Sequence, residues 1–154
     1  MTKYKLIDAS NQILGRLCSN IAKGALLGEN YIVINCSNVI ISGTRNDVFG
    51  KYLHRNQVKN FANPRRGPFY AHRPDTLVRW TVKAMLPKNK RGAIALDRIK
   101  FFIDEIPKRM EKKFEIEGES EFEKTSAAKL RCKFVTVEEV CKRNGWSGKL
   151  TGES

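Results

Sequence analysis

The stretch KYKLIDASNQILGRLCSNIAKGALLGENYIVINCSNVIIS, Lys3 to Ser42, changes its hydrophobic period twice. Lys3 to Asp8 reads as a short strand. Ser10 or Asn11 is placed to cap a helix on which Leu14, Leu17, Cys18, Ile21 and Ala25 share one face, because residues three and four apart lie on the same helical side. Gly28 stands where such a helix stops. Tyr31 to Asn35, with Val39 to Ile41 close behind, is continuously apolar and β-branched, the pattern of a strand buried on both faces. Strand, helix and strand make a βαβ unit, which predicts a right-handed crossover, a parallel sheet and helices on both sides of it. The fold class is therefore α/β.

Downstream, the spacing predicts a second helix from about Asn46 to Gln57. It turns Val48, Phe49, Tyr52 and Leu53 inward, with Lys51, Arg55 and Lys59 along an outer stripe. The segment FANPRRGPFYAHRP, Phe61 to Pro74, is broken by proline and glycine and reads as a loop. A third helix, Asp75 to Leu86, places Leu77, Val78, Thr81, Val82 and Met85 on one face and Thr76, Arg79 and Lys83 on the other beside Trp80. Pro87 ends it. LPKNKRG, Leu86 to Gly92, then reads as a basic turn before a short helix from Ala93 to Arg98 and a strand from Lys100 to Ile103. Glutamate occupies every odd position from 115 to 123, and this period of two around Gly118 predicts an acidic hairpin over about 111–124. A last helix, about 136–144, begins with Thr136 and Glu139 spaced as a capping box and stops at Gly145.

The 154 residues suit one domain, 1–154, and a content of 41% hydrophobic and 29% charged residues supplies enough apolar material for a folded core. The amino terminus, MTKYKLIDAS, lacks an apolar stretch of signal-peptide length, and no apolar run is long enough to span a bilayer. A cytoplasmic chain without a membrane partner is expected, with Cys18, Cys36, Cys132 and Cys141 as reduced, buried small hydrophobes. Their spacing contains no close pair of the kind zinc sites use, so no metal is expected.

Charge is where the sequence speaks about function. The net formal charge is +13, and a polyanion is the first partner such a balance calls for. Between Lys51 and Arg91 stand eleven basic residues and one acid, Asp75, whereas the remainder of the chain holds 18 bases and 15 acids. An ordinary soluble surface would intersperse carboxylates, as the rest of the chain does. Lys51, Arg55, Lys59, Arg65, Arg66, Arg73, Arg79, Lys83, Lys88, Lys90 and Arg91, with Arg45 just upstream and His72 in the loop, form the candidate RNA-binding set over about 45–91. Phe61, Phe69, Tyr70, His72 and Trp80 stand among these cations, a mixture that suits RNA, whose unstacked bases lie on rings and guanidinium planes. Trp80, at the edge of the core face, fits packing and RNA contact equally well.

Enzyme motifs fail residue by residue. At Gly50-Lys51 a phosphate loop would need glycine where Arg45 stands and a hydroxyl where Tyr52 stands. The dinucleotide fingerprint is missing after both early strands. His54 and His72 have no acid or cysteine at triad or metal spacing. Asn35-Cys36-Ser37 fits a glycosylation sequon but lies in an apolar strand. Neither a cofactor nor a small-molecule substrate is expected.

Four segments carry a resemblance: ILGRLCSNIAKGALLG (Ile13 to Gly28), VINCSNVIISG (Val33 to Gly43), NPRRGPFYAHRP (Asn63 to Pro74) and VKAMLPKNKRGAIALDRIKFF (Val82 to Phe102). In order and spacing they resemble the L-thirteen family of large-subunit ribosomal proteins, over roughly residues 5 to 109, with a weaker echo in FVTVEEVCKRNGW, Phe134 to Trp146. The resemblance implies a three-layer α/β/α fold with a four-stranded parallel sheet and early incorporation into the large subunit. It also implies broad contact with large-subunit ribosomal RNA, beside neighbouring ribosomal proteins. The RGP and MLPKNKRG loops look like the archaeal and eukaryotic branch, and the chain's end at Ser154 looks archaeal. The glutamate run is foreign to the family pattern and is expected to face solvent or a basic protein. The expectation is thus a non-enzymatic structural constituent that holds ribosomal RNA; the alternative is a free messenger-RNA-binding translational regulator.

Overall fold

The computed structural model describes residues 3–107, 110, 113–119, 130 and 132–148. Six strands and five helices are defined among them: β1 (Lys3–Asp8), α1 (Leu14–Leu27), β2 (Tyr31–Ile34), β3 (Ile40–Ser42), α2 (Arg45–Gln57), α3 (Pro74–Met85), α4 (Lys90–Asp97), β4 (Ile99–Phe101), β5 (Glu115–Glu119), β6 (Phe134–Thr136) and α5 (Val137–Arg143). The main sheet is four-stranded in the order β4-β2-β1-β5, and every pairing in it is parallel. Ile7 lies opposite Val33, and Val33 opposite Phe101, so one apolar row crosses the middle of the sheet. The α/β fold with a four-stranded parallel sheet is the one expected.

Helix α1 fills the space above that row. Leu14, Leu17, Cys18, Ile21 and Ala25 are all buried, Leu17, Cys18, Ile21 and Ala25 with no accessible surface, as the helical spacing predicted. Its start differs from expectation. Neither Ser10 nor Asn11 caps it: the Ser10 N–H donates to the Asp8 carboxylate at 2.9 Å, Asn11 turns the chain at φ 56°, and the cap position falls to Ile13, which also bridges Ile40. The local turn held by Asp8 takes the polar side chains before the helix begins. Gly28 ends α1 in the left-handed conformation at φ 106°, its N–H donating back to Ala25.

The apolar run after Gly28 is not one strand. Asn35, at φ 56°, turns β2 into a short 3-10 turn over Cys36–Asn38, and β3 leaves the main sheet to pair antiparallel with β6. The glutamate run makes the fourth strand of the main sheet instead of turning at Gly118, which lies within β5 beside Lys5. Residues 120–129, where the return strand of the expected hairpin would fall, lie outside the described residues. Helix α5 starts as predicted, with Thr136 Oγ1 accepting from the Glu139 N–H at 3.3 Å. Cys18, Cys36 and Cys141 are buried, and burial pushes the Cys18 and Cys141 thiols up to about 12. Cys132 is exposed, against expectation, because it precedes β6 at the surface.

A polar cluster ties β1 and β2 to α1. Glu29 accepts from Lys5 Nζ at 2.7 Å and from the Tyr31 hydroxyl. A Cβ at Gly24 would stand 1.9 Å from that hydroxyl oxygen, so only glycine lets Tyr31 seat beneath α1. The hydrogen bonds from Lys5 and then from Tyr31 hold the Glu29 carboxyl below its ordinary value of 4.5, against a smaller opposing effect of burial. A carboxyl depressed in the fold contributes stability above its unfolded value and loses it as pH falls through the folded one. Glu29→Gln should therefore unfold at lower denaturant than the parent at pH 7, with the gap closing as pH is lowered below about 4.5. A gap that stayed constant down to pH 3 would contradict the depressed carboxyl.

Candidate RNA interface

The basic surface is assembled on elements that the core holds in place. On α2, Val48 and Phe49 are buried, which turns Lys51 and Arg55 to solvent. The Arg55 guanidinium lies 5.6 Å from the Tyr52 ring centroid. Arg45, in the first turn, stands 5.3 Å over the Phe49 ring and 3.4 Å from the Glu139 carboxylate, while Arg143 of α5 covers the same ring at 5.0 Å. Lys59 was expected on the helical stripe, but α2 ends at Gln57 and Lys59 stands in the loop that follows.

That loop, 58–73, is shaped by backbone contacts and little apolar burial. Pro64–Arg66 forms a 3-10 turn closed by the Gly67 N–H donating to Pro64 at 3.3 Å, and Arg65 and Arg66 both project into solvent. Phe61 is 90% exposed and Phe69 66%, so two rings stand in water between cations. His72 pins the loop to the C-terminal helix, its Nδ1 lying 2.7 Å from the Asn144 carbonyl oxygen. Arg73 donates through Nε and Nη2 to the Asp75 carboxylate at 3.2 and 3.1 Å. Asp75 in the first turn of α3 also complements the positive end of the helix dipole.

Helix α3 buries Leu77, Val78 and Val82 and carries Arg79 and Lys83 outward. Arg79 reaches Asp97 at 3.9 Å. Met85, expected on the core face, is 43% exposed, and the core position one residue on goes to Leu86 at 6%. The helix ends there and the chain turns inward at Leu86. The supposed basic turn is in part helix: Asn89 Oδ1 accepts from the Gly92 N–H at 3.0 Å, so α4 starts at Lys90. Lys88 and Lys90 flank that cap, and Arg91 donates to the Leu26 carbonyl at 3.3 Å. Arg98, absent from the sequence-derived set, donates to the Ala25 carbonyl at 3.1 Å, so two guanidiniums satisfy carbonyls at the C-terminal end of α1. Charge counting gave no signal for that role.

All thirteen residues of the set are exposed. Arg45, Arg73 and Arg79 have carboxylate partners. Lys51, Arg55, Lys59, Arg65, Arg66, Lys83, Lys88, Lys90 and Arg91 have none within 4.0 Å among the described residues. Helices α3 and α4 pack against β4, one edge of the sheet, while the acidic strand β5 is the opposite edge, where Glu117 pairs with Lys3 at 2.8 Å. The β5 glutamates are thus on the sheet edge opposite the one that α3 and α4 cover. Among the described residues, no group of three or more His, Cys, Asp or Glu side chains is arranged to hold a metal, and no helix is long and apolar enough to cross a membrane.

The family model of ribosomal protein L13 matches residues 2–108, which include β1 through β4 and the whole basic stretch. The chain belongs to that family. Large ribosomal subunit protein uL13 of Methanocaldococcus jannaschii is 36% identical over 142 residues, 91% of this chain and 96% of that protein. The protein of the same name from Saccharolobus solfataricus is 35% identical over 144 residues, 93% of each chain. That from Archaeoglobus fulgidus is 34% identical over 147 residues, 94% of this chain and 90% of its own length. These relatives are archaeal and so fall within the archaeal and eukaryotic branch expected from the loop sequences, and their likeness runs beyond the family match into the β6–α5 region.

The cap of α4 sets one clear steric condition. A Cβ at Gly92 would meet the Pro87 carbonyl oxygen at 1.9 Å, a backbone atom that cannot swing aside. Gly92→Ala should cost about 1–3 kcal/mol in a denaturation experiment, since the first turn of α4 must shift. A variant as stable as the parent would show that this turn is not held as described.

Proposed function

We propose that this chain is a non-enzymatic structural constituent of the large ribosomal subunit, one domain that takes its place in the cytoplasmic ribosome. The surface over residues 45–91 holds folded large-subunit ribosomal RNA early in assembly, and neighbouring ribosomal proteins meet the remaining faces. The observation that carries this reading is the display of nine exposed cations from Lys51 to Arg91 that have no carboxylate partner among the described residues. Left alone they repel one another, and a phosphate backbone relieves that repulsion with release of its counterions. The names of the relatives, large ribosomal subunit protein uL13, support the assignment to the large subunit. The acidic strand suits a basic protein neighbour, since RNA would repel it.

Neutralising about 6 to 8 phosphates gives a slope of log affinity against log salt of roughly −4 to −7 for a cognate ribosomal RNA fragment. Arg65→Ala with Arg66→Ala should weaken binding and flatten the slope by about 0.7 to 0.9 for each arginine that contacts a phosphate. The melting temperature should hardly move, because both side chains are exposed and without carboxylate partners among the described residues. A double variant that melted early yet kept the parental slope would make these arginines structural and move the RNA surface elsewhere.

A further inference from the structure

Within the basic surface lies a small open cleft of about 70 Å³ between α2, the loop before α3, α3 and the end of α5. Tyr52, Arg55, Asn56, Tyr70, Trp80 and Asn144 are among its lining residues. Trp80 is 42% exposed, a large apolar ring left half in water, and Tyr52, Tyr70 and Asn56 are half-buried. The Asn56 amide makes no hydrogen bond to any described residue, and neither the Tyr52 nor the Tyr70 hydroxyl has one. Among the described residues, no carboxylate lines the cleft. The His72 bond to the Asn144 carbonyl fixes one wall against another, so the cleft is held open by structure outside it.

We propose that this cleft is a nucleobase site, receiving one unpaired base turned out of the folded RNA. The inference rests on the RNA-holding role above and deepens it. A base offers a flat face and an edge that both donates and accepts, and the cleft offers aromatic rings with an amide that does the same. Arg55, at the rim over Tyr52, meets the phosphate that accompanies the base. An apolar protein side chain would use the rings but leave the amide unpaired. An acidic side chain would find Arg55 yet gain nothing from the stacking walls. The site therefore adds a contact that senses bases to a surface whose other contacts sense only charge, and it fixes where along the RNA the basic surface settles.

The test compares a short base-bearing oligoribonucleotide with an abasic ribose-phosphate oligomer of the same length, using the full chain at several salt concentrations. The parent should bind the base-bearing oligomer roughly tenfold tighter than the abasic one. Trp80→Leu and Asn56→Ala should each shrink that ratio, Trp80→Phe should retain most of it, and the Arg65, Arg66 double alanine variant should weaken both oligomers alike. If Trp80→Leu fails to fold, Asn56→Ala, on the half-exposed side of α2, decides the matter. Equal parental affinity for the two oligomers, with a steep salt slope retained, would overturn the base site and leave the RNA-holding role standing. Failure of the parent to bind either oligomer or ribosomal RNA with any salt slope would overturn both.

Discussion

The burial of α1 against the parallel sheet is the constraint on which the other elements depend. Ile7 and Val33 in the sheet, with Leu17 and Ile21 on the helix, have no accessible surface. Helices α3 and α4 pack on α1 in turn, and Leu77, Val78, Val82 and Ala95 join the same core. Truncating any of the large side chains at this junction would remove apolar contact and leave a cavity, which costs about 2 to 5 kcal/mol in comparable cores. The carbonyls at the end of α1 are met by Arg91 and Arg98, so polar contacts from α4 close the junction that the apolar ones build.

That arrangement explains how the protein tolerates its charge. Cations crowded on mobile segments would spread apart, whereas here many of them are carried on helices with buried faces, so the repulsion cannot relax by local motion. Arg45, Arg73 and Arg79 find carboxylates, and Arg45 and Arg55 also lie over rings. The unpartnered lysines and arginines remain, while Glu115, Glu117 and Glu119 are held on β5 at the sheet edge opposite β4. An exposed ion pair contributes little to stability, so separating the charges costs the fold little and leaves a field of one sign facing outward.

The apolar periodicity carried most of the fold, because burial sets both the 3.6-residue rows of α1 and α3 and the continuous run of β2. It did not reveal where backbone polar groups would go. The Asp8 carboxylate captures the Ser10 amide and removes the expected cap of α1, and Asn89 caps α4 four residues before Ala93, where the apolar pattern begins. The split at Asn35 was hidden because the residues on both sides are apolar although they belong to different sheets. The glutamate alternation correctly indicates a strand, but its partner, β1, lies over a hundred residues away and leaves no local mark. For the candidate interface, exposure of the cations was legible from charge and position alone. The aromatic cleft was not, since Tyr52, Tyr70 and Trp80 come from three segments that only the packing brings together.

The central claim is that residues 45–91, held outward by the α1 junction, are the face turned to ribosomal RNA. Ultraviolet crosslinking of intact large subunits, followed by mass spectrometry of the crosslinked peptides, tests it most directly. The account predicts that RNA-linked residues from this chain fall between 45 and 91, with Phe61, Phe69 and Trp80 foremost because their rings are exposed among the cations. Crosslinks concentrated instead in residues 3–42 or on β5, with 45–91 unmarked, would contradict it.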